Sequence, residues 1–544
     1  MRARGAALRG GCPGAQAGRR AAGLARMGVL CLGMLLVACA GKESPGGGTS
    51  YRVSQAQQLF TVAFQDIDEI YIDAVTPEGL VLAGLARLSD LDPAVAVTTE
   101  RDHLVLRYDE QTVTRLPQPA SSATGPWARL AAQTLTKARS HAPGLAEVAP
   151  ERLYKTFFKG VTAELDAYSR YAGAAKAEEN RASRDGFGGI GVRIAPAREG
   201  FRITEVIEGT PADRAGLVAG DVILAVDGTP AGRLDIANSR TALRGPVDSR
   251  VTLTVRRAAE PQDRTPVAVK RQRIVPPTVS YAPRDTAAYI EITGFNQGTA
   301  EDLRAALRAA RKDLGAKLSG YVLDLRGNPG GLLDQAVAVA DLFLAGGRVV
   351  TTHGRHPDSH QYFEAAAGDA GEALPVVVLL NAGSASASEI VAAALQDSRR
   401  AVVVGSTSYG KGTVQTVLRL PNKGELTLTW ARFHAPSGYA LSHRGVVPDI
   451  CTTAEDVSLD AILAALQPPP TRHGAVADSW VPPARAAMAG ESGACPGQRT
   501  RSDLDLKLAV RLLAEETLYR RAARRSTGTS LARVRSDQVS PPDP

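Results

Sequence analysis

What this 544-residue chain lacks removes several classes of protein at once. Residues 1–38 hold six arginines and no acid, so most of the net charge of +8 sits in that leader. Without those six charges +2 remains, too little to imply a nucleic-acid partner. The apolar run MGVLCLGMLLVA (27–38) is too short to span a bilayer comfortably. GFGGIG (186–191) has neither the preceding strand nor the following helix of a dinucleotide fingerprint. DLRGNPGG (324–331) has no Walker lysine-serine pair, which discounts a nucleotide phosphate. His353, His356 and His360 share a polar loop with no acid or cysteine at ligand spacing, so no metal is expected. Between Ser386 and Lys411 there is neither a histidine nor a metal-ligand cluster.

What is present begins with an export pattern. The basic, then apolar leader ends in Leu36-Val37-Ala38-Cys39, which resembles a bacterial lipoprotein box. Residues 1–38 are then a signal peptide, Cys39 the lipidated N-terminus and residues 39–50 a flexible tether. An ordinary cleaved signal and a retained anchor are the alternatives. Of five cysteines, Cys12 and Cys31 leave with the leader and Cys39 carries lipid. Cys451 and Cys495 remain, and an oxidising compartment would pair them as a disulfide; two buried free thiols are the alternative.

The body of the chain divides by texture. Residues 51–185 read as a helical N-terminal region with a β-hairpin insert. Leu59, Val62, Phe64, Ile67 and Ile70 fall near helical spacing, and AVAVTT and HLVLRY alternate as paired strands. LPQPASSATGP (116–126) reads as a linker. A faint repeat offsets Pro77-Glu78 and Leu91-Asp92 from Pro150-Glu151 and Leu165-Asp166 by about 73 residues. Residues 186–276 carry short β runs with glycine turns. Residues 277–451 alternate strands and helices, the mark of an α/β layered core. Residues 452–544 hold a Pro/Gly-rich insert, one clear helix and a polar tail whose arginines (Arg520 to Arg535) read as solvated.

The chemistry concentrates in two segments. GSASASEIVAAALQD places Ser386 among small residues at the start of a helix, and Lys411 follows in a Gly-Lys-Gly turn. A serine hydroxyl needs a base, and a lysine serves only when kept neutral. Lowering its pKa from about 10.4 by roughly three units takes about 4 kcal/mol, which burial supplies. Val402, Val403, Val404 and Val414 flank it in sequence, consistent with such a slot. Ser384 and Ser388 read as helix caps. The glycines of DLRGNPGG let backbone amides approach a developing negative charge. In residues 186–191 outward-facing amides suit capture of a peptide's terminal carboxylate, with the next strand pairing the peptide at its edge.

With Gly209-Thr210-Pro211-Ala212 and Ala219-Gly220-Asp221-Val222-Ile223 downstream, that module resembles a PDZ domain. DLRGNPGGLL, GSASASEIVAAALQD and YGKGTVQ behind it resemble the carboxyl-terminal processing (tail-specific) proteases of the serine peptidase S41 type, over residues 150 to 451. The resemblance implies a multi-domain α/β fold, with a crotonase-like protease core, an inserted β-rich PDZ domain and helical terminal regions. It makes Ser386 the nucleophile, Lys411 the base and Gln415 the residue that orients the lysine, across a spacing that suits one helical face or a tight turn. The amides of Ala387, Gly330 and Gly331 become the oxyanion hole. Asp397 is an auxiliary candidate, with pairing to Arg399 or Arg400 as the plainer reading. Gly188, Gly189, Ile190, Gly191 and Arg244 are candidates for peptide binding. Asp248 stands where the family usually has glycine.

The implied function is a Ser-Lys endopeptidase of the bacterial envelope. It faces the periplasm, is lipid-anchored to a membrane, and takes protein substrates with accessible apolar C-terminal tails. No metal or organic cofactor and no nucleic acid are implied, while an adaptor protein or a homo-oligomer remains open. A catalytically silent PDZ scaffold is the alternative, and a histidine-based hydrolase using His434 a more distant one.

Overall fold

The computed structural model describes residues 51–233, 235–260, 262–453, 457–467 and 495–524. The leader 1–38, Cys39, the tether 39–50, most of the insert and the tail beyond 524 lie outside the described residues.

The strand VVVLL (Val376–Leu380) shows why the core forms. Every residue in it is buried, as in AVVVG (Ala401–Gly405), because both faces of the sheet are covered. Six strands run in the order Val279–Arg284, Ala287–Ile292, Gly320–Asp324, Val376–Leu380, Ala401–Gly405 and Ile450–Cys451. Only the first pair is antiparallel. Alternation decides which cluster each side chain joins. Leu323, Val378 and Val403 pack toward the helices Thr299–Leu314, Leu333–Asp341 and Ala387–Asp397. Val322, Val377 and Val402 pack toward Leu459–Leu466 and Asp503–Ala514. The C-terminal helix therefore closes the second face of the core.

A second sheet orders Gln361–Ala365, Gly347–His353, Glu425–His434 and Thr413–Arg419, and Arg170–Ala172 adds to Glu425–His434. The polar loop expected around the histidines joins two of these strands: His353 ends one, His360 precedes the next, and a 3-10 turn, Pro357–Ser359, lies between them.

In the N-terminal region, helix Val53–Ile70 buries Leu59, Phe60, Ala63, Phe64 and Ile67, while Val62 and Ile70 are only partly covered. Phe60 stacks on Phe157 of helix Pro150–Ala163 at 4.3 Å. The expected hairpin gains a third strand, Gln111–Pro117, so the connecting segment starts later than 116. The weak repeat corresponds to two helices with proline in their first turn, Pro77–Ala86 and Pro150–Ala163. Each is followed by an aspartate that closes a turn: Asp92 accepts from the Ala94 amide at 3.1 Å and Asp166 from the Ser169 amide at 2.9 Å.

The β-rich module has the strand order Thr265–Lys270, Arg250–Arg256, Val222–Val226, Gly200–Val206 and Val192–Ala197, with helix Ile236–Leu243 beside it. Val192–Ala197 is an edge. Asp248 holds φ +71, the left-handed region that glycine adopts freely. Cys451 and Cys495 are bonded, with Cα atoms 5.7 Å apart.

Candidate active site

Ser386 sits between strand Val376–Leu380 and helix Ala387–Asp397 with φ +58 and ψ −114. A non-glycine residue there costs of order 1–3 kcal/mol and persists only when its surroundings hold it. They do so through the serines on either side. Ser384 Oγ donates to Leu325 O at 2.8 Å, and Ser388 Oγ donates to Asn328 O at 3.0 Å. Both side chains are buried and bind the 325–328 loop, which corrects their expected role as caps; the N-cap position is Ser386 itself. Gly330 completes the turn at φ +98, where a Cβ would lie 2.6 Å from Ala385 O and 2.8 Å from Ser386 Cβ.

Glu389 joins the serine to the lysine. Its Oε2 accepts from the Ser386 amide (2.7 Å) and the Lys411 amide (3.1 Å). Its Oε1 accepts from Ser408 Oγ and the Gly410 amide, both at 2.6 Å. Burial raises the pKa of this carboxyl, and those four hydrogen bonds oppose the rise without cancelling it. Glutamate three residues after a helix-capping serine is a capping-box pattern, and that signal, present in SASE, was not read from the sequence.

The Lys411 side chain donates through Nζ to Gln415 Oε1 and lies 5.3 Å from the Tyr168 ring centroid. Burial, with Arg170 adding to it, brings its amine from 10.5 down to about 8, against Asp166 and Glu389. The lysine–glutamine spacing is neither helical nor a tight turn, as the sequence suggested. Gln415 lies in strand Thr413–Arg419, where alternate residues share a face. Its Nε2 donates to Thr413 Oγ1 (2.9 Å) and Thr429 Oγ1 (3.2 Å). Of the flanking valines, Val414 lines the site, whereas Val402, Val403 and Val404 belong to the central sheet.

Ser386, Ala387, Gly331, Lys411 and Gln415 line one cavity of about 520 Å³. Phe295, Leu332, Ile390 and Phe433 give it an apolar wall. The Ala387 amide is the first of its helix, where no intrahelical acceptor exists. Gly330 also lines the cavity, but its amide donates to Asn328 Oδ1 at 2.8 Å, so its expected oxyanion role is corrected. Gly331 is bridged to Phe295 through its neighbours Gly330 O and Leu332 N, which leaves its own amide outside that bridge. The loop is anchored below by Arg326, which binds buried Asp324 (2.6 Å) and Asp505 (3.0 Å) of the C-terminal helix.

Other candidates fall elsewhere. Asp397 ends the serine's helix and accepts from Ser437 N (3.0 Å) and Oγ (2.6 Å), while Arg400 pairs with Asp369 (3.2 Å). His434 does not line the cavity; its ring packs 5.3 Å from His353, which packs 5.2 Å from His360. Among the described residues no group of three or more His, Cys, Asp or Glu is placed to hold a metal ion. Nor, among them, is any helix long and apolar enough to cross a membrane.

In the β-rich module, Gly189, Ile190, Val192, Leu243 and Arg244 line a groove of about 340 Å³ between the edge strand and helix Ile236–Leu243. Arg244 lies 4.0 Å over the Phe187 ring, and burial, then Arg240, lowers its pKa. Gly188 and Gly191 are not at the groove wall. Gly188 O accepts from the Gly245 amide at 3.0 Å, and a Cβ on Gly191 would strike Thr210 at 2.3 Å.

A serine held in a strained turn, a half-buried amine and free amides around one cavity can carry acyl transfer through an oxyanion. The fold that presents them is multi-domain α/β. Sequence comparison agrees: residues 286–452 match peptidase family S41, and residues 202–257 match a PDZ domain. A carboxy-terminal-processing protease of Bartonella bacilliformis is 40% identical over 304 residues, covering 55% of this chain and 69% of that protein. Proteins described as CtpA-like serine proteases in Staphylococcus aureus strains are 34% identical over 307 residues, 55% of this chain and 60% of theirs. A solved photosystem II D1 C-terminal processing protease aligns with 72% of this chain and 92% of its own at 24% identity, with a TM-score of 0.36. The chain belongs to the carboxy-terminal-processing proteases of peptidase family S41, and it is a serine-type peptidase with a PDZ domain.

Proposed function

We propose that this protein is an endopeptidase of the bacterial cell envelope that captures apolar C-terminal tails and cleaves them with a Ser386–Lys411 dyad. The observation that carries the reading is the Lys411 amine, brought to about 8 by burial and Arg170, on the same cavity as strained Ser386. About a tenth of such an amine is neutral at pH 7, against less than a thousandth for an ordinary lysine. The neutral amine takes the Ser386 Oγ proton as the hydroxyl attacks the scissile carbonyl. The amides of Ala387 and Gly331 receive the oxyanion. The ammonium returns its proton to the leaving amine, and water then hydrolyses the acyl-enzyme. Gln415 holds the lysine in place.

The apolar cavity wall supports apolar tails as substrates, and the PDZ groove beside an edge strand supports capture by strand addition. The export leader and the Cys451–Cys495 disulfide support an oxidising compartment, with lipid on Cys39 as the membrane anchor.

The test is cleavage of an unstructured substrate with an apolar tail by the intact protein, Ser386→Ala and Lys411→Ala. Both variants are expected to bind the tail and not cut it. Undiminished proteolysis by either would sink the dyad, and binding without cleavage by the intact protein would favour a silent scaffold. Metabolic labelling with a radiolabelled fatty acid, lost in Cys39→Ala, tests the anchor.

A further inference from the structure

A glutamine beside a catalytic lysine helps only in one of its two orientations. A neutral amine has a single lone pair. When it donates an N–H to Gln415 Oε1, that lone pair stays free for the serine proton. With the amide reversed, the glutamine NH2 would face the amine and occupy the lone pair. The two ends of the amide are nearly the same size, so packing alone does not choose between them.

The choice is made further along. Gln415 Nε2 meets two hydroxyls: Thr413 Oγ1 at 2.9 Å, which can give or accept and so does not choose, and Thr429 Oγ1 at 3.2 Å, on a residue 1% exposed. A hydroxyl has one proton, and once that proton is given elsewhere only its lone pairs face the amide, so it can accept there but not donate. Thr429 gives it to Asp166 Oδ2, at 2.5 Å. An ionised carboxylate only accepts, so the direction of the whole series is forced: Lys411 to Gln415 to Thr429 to Asp166. The carboxylate is itself fixed, because its Oδ1 accepts from Ser169 N (2.9 Å) and Ser169 Oγ (2.6 Å). The Thr429 amide donates to Ser169 Oγ at 3.3 Å, which ties the same turn to the lysine's sheet.

Asp166 does not come from the protease core. It lies in the turn between helix Pro150–Ala163 and strand Arg170–Ala172, whose pairing with Glu425–His434 carries the turn to the site. Arg170, the first residue of that strand, lines the cavity. The groups facing the lysine amine are thus Asp166 from this turn, Arg170 from the strand after it, Glu389 from the serine's helix and the Tyr168 ring.

We propose that Asp166 is a positioning residue for this peptidase. Acting through Thr429, it fixes the Gln415 amide with its oxygen toward Lys411, so the N-terminal region completes the catalytic site. The inference rests on the Ser386–Lys411 reading above.

The test compares the full chain with Asp166→Asn, Thr429→Val and Thr429→Ser, measuring kcat on a tailed peptide from pH 6 to 10 alongside thermal unfolding. Thr429→Val leaves the carboxylate and removes the relay. Its kcat should fall roughly tenfold to hundredfold, the range of a charge-assisted hydrogen bond. Thr429→Ser keeps the hydroxyl and should recover most of that loss. Asp166→Asn should lose rate similarly and also move the acid limb to lower pH, because a negative charge that holds the proton on Lys411 is gone. A rate within twofold of the parent in either Asp166→Asn or Thr429→Val would overturn the proposal. So would losses that track unfolding with the acid limb unmoved. Ser386→Ala and Lys411→Ala, assayed in parallel, separate the two claims. If they stay active, the dyad itself fails; if they are dead while Asp166→Asn is normal, only the relay fails.

Discussion

The cavity that holds Ser386 and Lys411 and the PDZ groove are built in opposite ways. In the cavity the functional groups are also the framework. Glu389 bonds the backbones of both Ser386 and Lys411, and the loop bearing Gly331 stands on the buried Asp324–Arg326–Asp505 cluster. The groove is formed instead by an edge strand and by half-exposed side chains such as Arg244, which leans on Phe187. Activity and stability should therefore be inseparable in the first region and separable in the second.

The sharpest way to break this contrast is Glu389→Ala. It strands the Ser408 hydroxyl and three backbone amides in a buried site, so unfolding stability should drop by about 3–5 kcal/mol and cleavage should be lost together. Chemical denaturation beside an activity assay reads both, and a stable but inactive variant would contradict the coupling. Next in size is the double change Cys451→Ser and Cys495→Ser. Opening a loop closed across 44 residues should remove about 2–4 kcal/mol, seen equally when a reductant is added to the parent.

A smaller effect concerns pH. If cleavage runs through the proposed dyad it needs the neutral amine, and the rate should rise with pH through about 8. Arg170 lowers that value, and Arg170→Ala should shift the acid limb upward by up to about one unit and reduce the rate at pH 7 by up to roughly tenfold. The same depression has a stability consequence with a definite sign. The folded pKa lies below the unfolded one, so the unfolded chain binds the extra proton between about 8 and 10.5 and the fold gains stability as pH rises across that window. Replacing Lys411 with methionine should abolish cleavage and flatten that rise.

The mildest change belongs to the groove. Arg244→Ala should leave unfolding within about 1 kcal/mol of the parent and raise KM for a tailed peptide a few-fold. An equal KM change for a peptide without a free C-terminus would remove Arg244 from tail recognition.

Much of this was legible in the chain. Fully apolar runs such as VVVLL and AVVVG announce strands covered on both faces, and the run of small residues around Ser386 marks the tight turn into its helix. The partners that act on Lys411 from a distance were not legible. Asp166 and Arg170 lie well over two hundred residues before it in sequence and reach it only because Arg170–Ala172 pairs with Glu425–His434. Ser384 and Ser388 looked like caps because local sequence shows a helix start, not the loop packed against it. Gly330 looked like an oxyanion donor until Asn328 was seen to take its amide.

The sequence by itself determined the family and the two-sided burial of the central strands, and it supplied the serine and lysine of the proposed dyad, because these depend on residue type and short-range pattern. Only the tertiary structure decided which amides are free, which carboxylate joins the two residues and which way the chain of hydrogen bonds runs. Those depend on distances of about 3 Å between segments far apart in the chain, and no periodicity encodes them.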